Sequence, residues 1–376
     1  MRFFATLLFI ICISNGLSTK AFSQQRWNPN NPPNTYRTKG NPHYWKNRPP
    51  DAAYWQQDVY YRIHATIDET TDIITGEQTL RYWNNSPDTL YYAFFHLYQQ
   101  GFVKGGPLED LNLNNNVKQR FGKYESQGLG TVVDKWLVNG DSVRVDQDFS
   151  VVKVYLPKSL MPGDSVDFQI SFKTYFDNGT QRRRMKKFDS WGHTHYDGVL
   201  WYPRISVYDR KMGWDTHQHI GKEFYGDFGT FEVSLDFASN YIVEGTGLLQ
   251  NQREVMPDSL RQKLDIKNFL SKPWNSPPST IIPYVKGQRK QWKYYAENVH
   301  DFAFTADPTY RIGEAEWNGI KAIALVQEPH AVGWHDAALF AARCIQVYSQ
   351  DFGQYAWNKI IVADARDGME YNMITL

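Results

Sequence analysis

Cysteine is almost missing from this chain. Of 376 residues only Cys12 and Cys344 are cysteines, so no internal disulfide and no cysteine-based metal site is expected after maturation. A dominant charge is missing as well. The 41 Lys and Arg nearly balance 40 Asp and Glu, which removes any electrostatic drive toward nucleic acid or anionic lipid. No run reaches membrane-spanning length, the apolar stretch at residues 3–13 included, and no internal repeat appears. What the chain does have is aromatic side chains, 16% of all residues and well spread, which argues against disorder and for an aromatic-packed globular protein.

The first 23 residues read as a signal peptide. Arg2 gives the positive start, residues 3–13 the apolar core, and Ala21-Phe22-Ser23 places small residues where a signal peptidase reads them. Cys12 lies inside this segment without the small preceding residue of a lipoprotein site. The expectation is an exported protein, periplasmic or extracellular, free of the membrane once cleaved before Gln24.

Residues 24–52 are rich in Asn, Pro and Arg and lack periodicity, so they read as an extended arm over a surface, with Trp27, Tyr36, Tyr44 and Trp45 pinning it rather than stacking on sugars. Alternation begins after Tyr54. Residues 59–67, 73–83 and 90–97 have period two, and Asn84-Asn85-Ser86-Pro87-Asp88 makes a turn between the last pair. Further strands are expected at 131–138, 143–145, 150–156, 165–176, 231–237 and 241–245, an antiparallel sandwich or saddle over residues 53–311. Residues 250–290 read as a polar helix-prone piece and a Pro-rich loop, a long connection rather than core. The basic run Arg182–Lys187 reads as a solvated loop. His193-x-His195 and His217-x-His219 lack a third donor at a recognisable spacing, and His330 and His335, five apart, cannot share a metal on one helix face.

A second domain is expected over 312–376. Residues 320–326 form a strand, and 334–348 form a helix with apolar Ala338, Ala341, Ala342, Ile345 and Tyr348 three or four apart. Asp351-Phe352-Gly353 stops the helix, and 357–362 form a second strand. This β-α-β unit leads to Asp367-Gly368-Met369-Glu370-Tyr371-Asn372. A glycine, an apolar residue and a carboxylate at a strand end let backbone approach a ligand and set a negative charge beside it.

That stretch resembles the G-x-M-E-N loop of the membrane-alanyl-aminopeptidase family of gluzincin zinc metallopeptidases. Gly76, Glu77, Tyr82 and Asn84–Asp88 resemble a strand and turn of the family's bacterial branch. Trp201-Tyr202-Pro203-Arg204 with Tyr208-Asp209, then Glu223-Phe224-Tyr225, resemble two paired segments of the family, the first of them near the substrate cleft, and Ala296–Phe304 is similar to the A-E-N-V-H-D-F-A-W signature. Asp367 stands where a second glycine is common, and Asn372 where the bacterial branch has proline.

The resemblance implies a mainly β fold with an α/β tail, in which an N-terminal antiparallel β-sandwich or saddle precedes the opening β-α-β lobe of a thermolysin-like catalytic domain. It implies that Glu370 holds the free α-ammonium of a peptide, that Gly368 and Met369 align its backbone beside Tyr371, and that Trp201 or Tyr202 fixes its amino end unless both are core aromatics. The family's zinc sits in H-E-x-x-H, a motif not found among the ten histidines here. The expectation is therefore an N-terminal portion that ends before the zinc motif. It would bind no zinc, carry no catalytic residue of its own, be inactive alone, and meet peptide rather than nucleic acid. The alternative is a family member without its zinc site, serving as a peptide- or glycan-binding scaffold. A carbohydrate-binding module accounts for the aromatics but not for the β-α-β tail.

Overall fold

The computed structural model describes residues 36–180, 185–221 and 224–365. The first half of the chain is strands: β1 (Asp58–Asp68), β2 (Ile73–Trp83), β3 (Leu90–His96), β4 (Thr131–Val138), β5 (Asp141–Ser142), β6 (Val145–Asp148), β7 (Val151–Leu160) and β8 (Ser165–Tyr175). The expected strand at 143–145 is instead the junction of two short strands, β5 and β6. Then come β9 (Lys186–Ser190), β10 (His193–Gly198), β11 (Arg204–Ile205), β12 (Tyr208–Asp209) and β13 (Gly213–Trp214). The second half carries β14 (Gly229–Ala238), β15 (Ile242–Gly245), β16 (Leu248–Leu249), β17 (Arg289–Val299) and β18 (Phe304–Asp307). The tail has β19 (Tyr310–Trp317), β20 (Ile320–Gln327) and β21 (Lys359–Ala363).

Eight strands form one broad sheet in the order β16-β17-β14-β1-β2-β8-β4-β5. Along β1, β2 and β8 every second side chain is buried, the pattern of a sheet with one face on the core and the other in water. Gly76 on β2 lies directly opposite Phe172 on β8, and a Cβ there would collide with that ring, so the glycine makes room for the aromatic. Two four-stranded sheets, β15-β18-β10-β9 and β11-β3-β7-β6, and the two-stranded β12-β13 make up the rest of this part. The fold is mainly β as expected, but the consecutive strands do not all pair in turn: β3 leaves β1 and β2 for another sheet. β1 pairs with β14 in parallel, Val59 opposite Gly229, because β14 returns to the sheet only after a long excursion.

The arm is pinned by aromatics. Tyr36 and Tyr44 are buried, the Tyr44 hydroxyl and the Trp45 indole donate to the two oxygens of Asp58 at 2.9 and 3.1 Å, and Arg37 lies over Trp83. Asn84 is buried and holds its turn through bonds to Ser86, Asp88 O and Leu160 O. The connection 250–290 is not peripheral, contrary to the sequence reading. Val255, Met256, Leu264, Ile266 and Phe269 are buried in the core, where apolar area removed from water outweighs the polar character of the segment.

In the tail β19 and β20 are antiparallel, and β20 and β21 are parallel, joined through the helix Ala337–Phe352. The small buried residues Ala338, Ala341 and Ala342 let that helix lie close on the sheet, and Ile345 seals its end. Tyr348, expected in this stripe, is exposed and packs edge-on against exposed Phe352. No described helix is long and apolar enough to cross a membrane.

Candidate functional site

Gly368, Met369, Glu370 and Tyr371 lie outside the described residues; the strand that precedes them does not. Among the described residues β21 is an edge of the tail sheet, and it ends at Ala363. Its exit is fixed by Asp364, a buried residue whose backbone N–H donates to Leu325 O at 2.8 Å and whose Oδ2 meets His330 Nδ1 at 2.6 Å and the Gln327 N–H at 3.2 Å. His330 in turn stacks on Trp274. The other end of β21 is anchored by buried Lys359, which donates to Glu244 Oε1 at 2.8 Å and to Gly245 O at 2.9 Å, tying the tail to the β-sheets. A parallel strand held at both ends presents its carboxyl end, the side at which α/β units meet ligands.

Beside this exit lies a buried charged group. His195 on β10 has Nδ1 3.1 Å from Asp307 Oδ2 and Nε2 3.0 Å from Asp197 Oδ2, and its ring packs edge-on against Tyr310. Burial alone would expel the proton, but Asp197 and then Asp307 outweigh it and raise the imidazole to about 10 from an ordinary 6.5. The folded state thus keeps a proton that the unfolded chain has lost between those values. Its stabilisation is complete below about 6.5 and disappears as pH rises through about 10. Urea unfolding at stepped pH is expected to show stability falling over that interval by up to about 1.4 kcal/mol per unit, with the slope reduced in His195→Gln. Equal slopes in the two proteins would show that His195 does not carry this charge.

Trp201 and Tyr202 take the core alternative: they are 0% and 1% exposed. The Trp201 indole donates to Phe302 O at 3.1 Å and the Tyr202 hydroxyl to Asp301 Oδ1 at 2.7 Å. Their neighbours Ile205 and Pro203 bond the broad sheet through Tyr61 and Gln78. Arg204, fully buried, is 3.6 Å from Asp301 and bonds His300 O. A Cβ on Gly226 would land on the Arg204 guanidinium, so the glycine after Phe224-Tyr225 is required by the arginine of the other segment. Trp201–Ile205 with Phe224 and Gly226 thus form a buried joint between sheets, and the exposed parts of the two segments, Tyr208 and Tyr225, lie beside it.

That exposed ground is a cavity of about 500 Å³ bordered by Trp55, Tyr208, Phe224, Tyr225, Asp227 and His300. Trp55 stacks on Tyr208 at 5.6 Å. Asp227 is partly exposed as a residue, yet its Oδ2 is out of solvent without a hydrogen bond, and burial followed by the Asp58 charge pushes its carboxyl well above the usual range. Burial, then Arg204, lowers His300 to about 4. An acid whose burial favours its protonated form and a neutral imidazole amid aromatic rings suit a ligand that is polar at one end and flat or apolar at the other.

Of the histidine pairs, His193 and His195 gain no third imidazole, and His335 meets Asp336 near the surface, apart from the His330–Asp364 pair. His219 differs. The fold brings it to His96, the last residue of β3, and to Asp215, just after β13, with one ligand-capable atom of each within 4.8 Å of the others. Burial, followed by His219, lowers His96 to about 3; Asp215, which burial would raise, is held well below the carboxylate range by bonds from His219 and His217. Sequence spacing gave no signal for this grouping, since His96 arrives from a distant strand. The nearest clue was Asp215 two residues before His217-x-His219.

No family model matches the sequence, and no curated protein matches it. Among solved structures the chain is similar to an M1 zinc metallopeptidase from Deinococcus radiodurans, at 15% identity and a TM-score of 0.47, over 82% of this chain and 56% of that one. A mutant of that enzyme gives 14% and 0.48 over the same shares. A two-domain mutant form bound to L-tryptophan gives 14% and 0.47, over 83% of this chain and 57% of that one. The chain thus spans little more than half the length of these structures.

Proposed function

We propose that this chain is the N-terminal portion of an exported zinc-dependent aminopeptidase that releases N-terminal residues from peptides, with Glu370 binding the substrate's amino end. The observation that carries the reading is the tail unit: a parallel edge strand, locked at both ends, runs straight into Gly368-Met369-Glu370 in sequence. An edge strand is suited to receiving a peptide as an added strand, and a carboxylate just past it neutralises the peptide's ammonium. Export rests on the residues of the leader, 1–23. The zinc that the resemblance implies has no H-E-x-x-H in this sequence, so the residues present do not fit it and no step is routed through it here.

The test is Glu370→Ala in the complete protein, assayed on free and N-acylated forms of one peptide. Removing one partner of a desolvated charge pair costs about 2–5 kcal/mol, so kcat/KM on the free peptide should fall thirtyfold or more while the acylated form is unaffected. Wild-type cleavage of both forms would sink the assignment. A scaffold that docks peptides or glycans is the second reading, supported by the aromatic cavity at Trp55 and Tyr208. It expects binding without turnover by the complete protein.

A further inference from the structure

We propose that His96, Asp215 and His219 form a binding site for one divalent transition-metal ion of the zinc class, within the β-sheet part of the chain. The proposal is independent of the aminopeptidase reading.

Three observations carry it. The first is convergence. His219 Nε2 lies 2.8 Å from Asp215 Oδ2, His96 Nε2 lies 4.0 Å from the same oxygen, and the two imidazoles meet edge to face at 4.9 Å. Donors on one zinc-sized ion stand roughly 3 Å apart, given metal–ligand bonds of about 2.0–2.2 Å. The His219–Asp215 spacing is already close to that, and His96 would have to move inward to complete the set, since the three donor atoms lie within 4.8 Å of one another.

The second is unspent bonding capacity. Among the described residues both ring nitrogens of His96 and Nδ1 of His219 are buried without a hydrogen bond of good geometry, His96 having only a marginal contact with the Asp215 backbone, although the side chains are only 2% and 1% exposed. A hydrogen-bonded His–Asp pair explains Asp215 and one nitrogen of His219. It leaves the polar atoms of His96 poorly satisfied in a dry interior, where an unpaired polar group is costly. A cation takes the His96 lone pair and replaces the proton shared between His219 and Asp215.

The third is the surroundings. Asp215 Oδ1 is taken by half-exposed His217, whose Nδ1 is 2.7 Å away, so the carboxylate is oriented by a second group as ligating carboxylates are. Tyr98 stacks on His96 at 4.9 Å and Phe224 on His219 at 5.2 Å, which holds both rings in place. Two imidazoles and one carboxylate favour zinc, cobalt or nickel over magnesium or calcium, which prefer all-oxygen shells. Three protein donors leave one position for water. The ion would staple the end of β3 to the loop after β13, and Phe224 also lines the aromatic cavity.

The complete protein is stripped with a chelator, reloaded with Zn²⁺ and freed of excess ion, and its metal content is measured per chain. Wild type should retain one equivalent more than His96→Gln and than His219→Gln, whether or not another zinc is present elsewhere. His193→Gln should match wild type. Reloading with Co²⁺ should give a visible absorption that both site variants lack, and His217→Ala should weaken binding about 10–100-fold. Equal metal content in wild type and both folded site variants overturns the proposal. If those variants do not fold, anomalous diffraction at the zinc edge from loaded wild-type crystals decides. A peak among the three side chains supports the site, and its absence overturns it.

Discussion

Replacing Glu328 by alanine is expected to remove about 3–5 kcal/mol of stability, the cost of stripping one partner from a buried ion pair. Glu328 follows β20 directly and its side chain is fully buried. Its Oε2 takes Nε of Arg311 at 2.7 Å and also Nη2, while its Oε1 takes Lys272 Nζ and the Ser279 N–H. Arg311 is equally buried, stacks on Phe269 and has no other carboxylate in contact among the described residues. Without Glu328 a guanidinium would stay charged in a dry place, and the connection 250–290 would lose one of its ties to the tail, others such as Arg261–Glu314 remaining. Urea denaturation is the measurement. Glu328→Gln, which keeps the shape but not the charge, should fall between alanine and wild type. A loss under about 1 kcal/mol in the alanine variant, as at an exposed pair, would show that Arg311 finds water on removal of its partner.

Asp301→Ala should be comparably damaging, about 3 kcal/mol or more, for a related reason. It strands the buried Arg204 charge, deprives the Tyr202 hydroxyl of its acceptor and frees the Phe302 N–H. Burial works against the Arg204 charge, and Asp301 is the main group holding the guanidinium above its usual range. Because Arg204 also bonds His300 O and fills the space beside Gly226, its loss of balance reaches the cavity wall. Chemical denaturation of Asp301→Ala and Asp301→Asn separates the terms. Asparagine can still accept from Tyr202, so most of the loss should persist only if charge is the larger contribution. Two near-neutral variants would rule out the joint as a stabilising element.

Much of the β part was legible because its signals are local. Residues 73–83 alternate without interruption, and the β2 strand has those bounds. Asn84 and Pro87 belong to a turn that Asn84 closes locally through Ser86 and Asp88 O, while bonds to Leu160 O, Gln57, Asp58 and Tyr208 tie it to the rest of the fold. The helix was legible from Ala338, Ala341, Ala342 and Ile345; Tyr348 kept the spacing but not the burial, since spacing says nothing of where a neighbour stops. The connection 250–290 misled because its sequence is polar overall, while five of its apolar residues reach the core.

The reading of the matching segments changed more. Trp201 and Tyr202 are large and amphipathic, equally at home in a cleft or a core, and composition cannot choose between them. Burial chose the core. Their segment proved to be the piece that Asp301, His300 and Gly226 close upon.

By itself the sequence determined where the longer strands of the β part lie, where the Asn84–Asp88 turn falls, that two cysteines supply no disulfide framework, and that Glu370 follows the last described strand along the chain. Those are properties of neighbouring residues: a period of two, a turn's own side chains, a count of cysteines. Only the tertiary structure decided that β1 and β14 run in parallel, that Gly226 exists for Arg204, and that His96 meets Asp215 and His219. Each of these joins residues far apart in the chain. Such pairings are set by how sheets close on a shared core, and no local pattern along the chain encodes that closure.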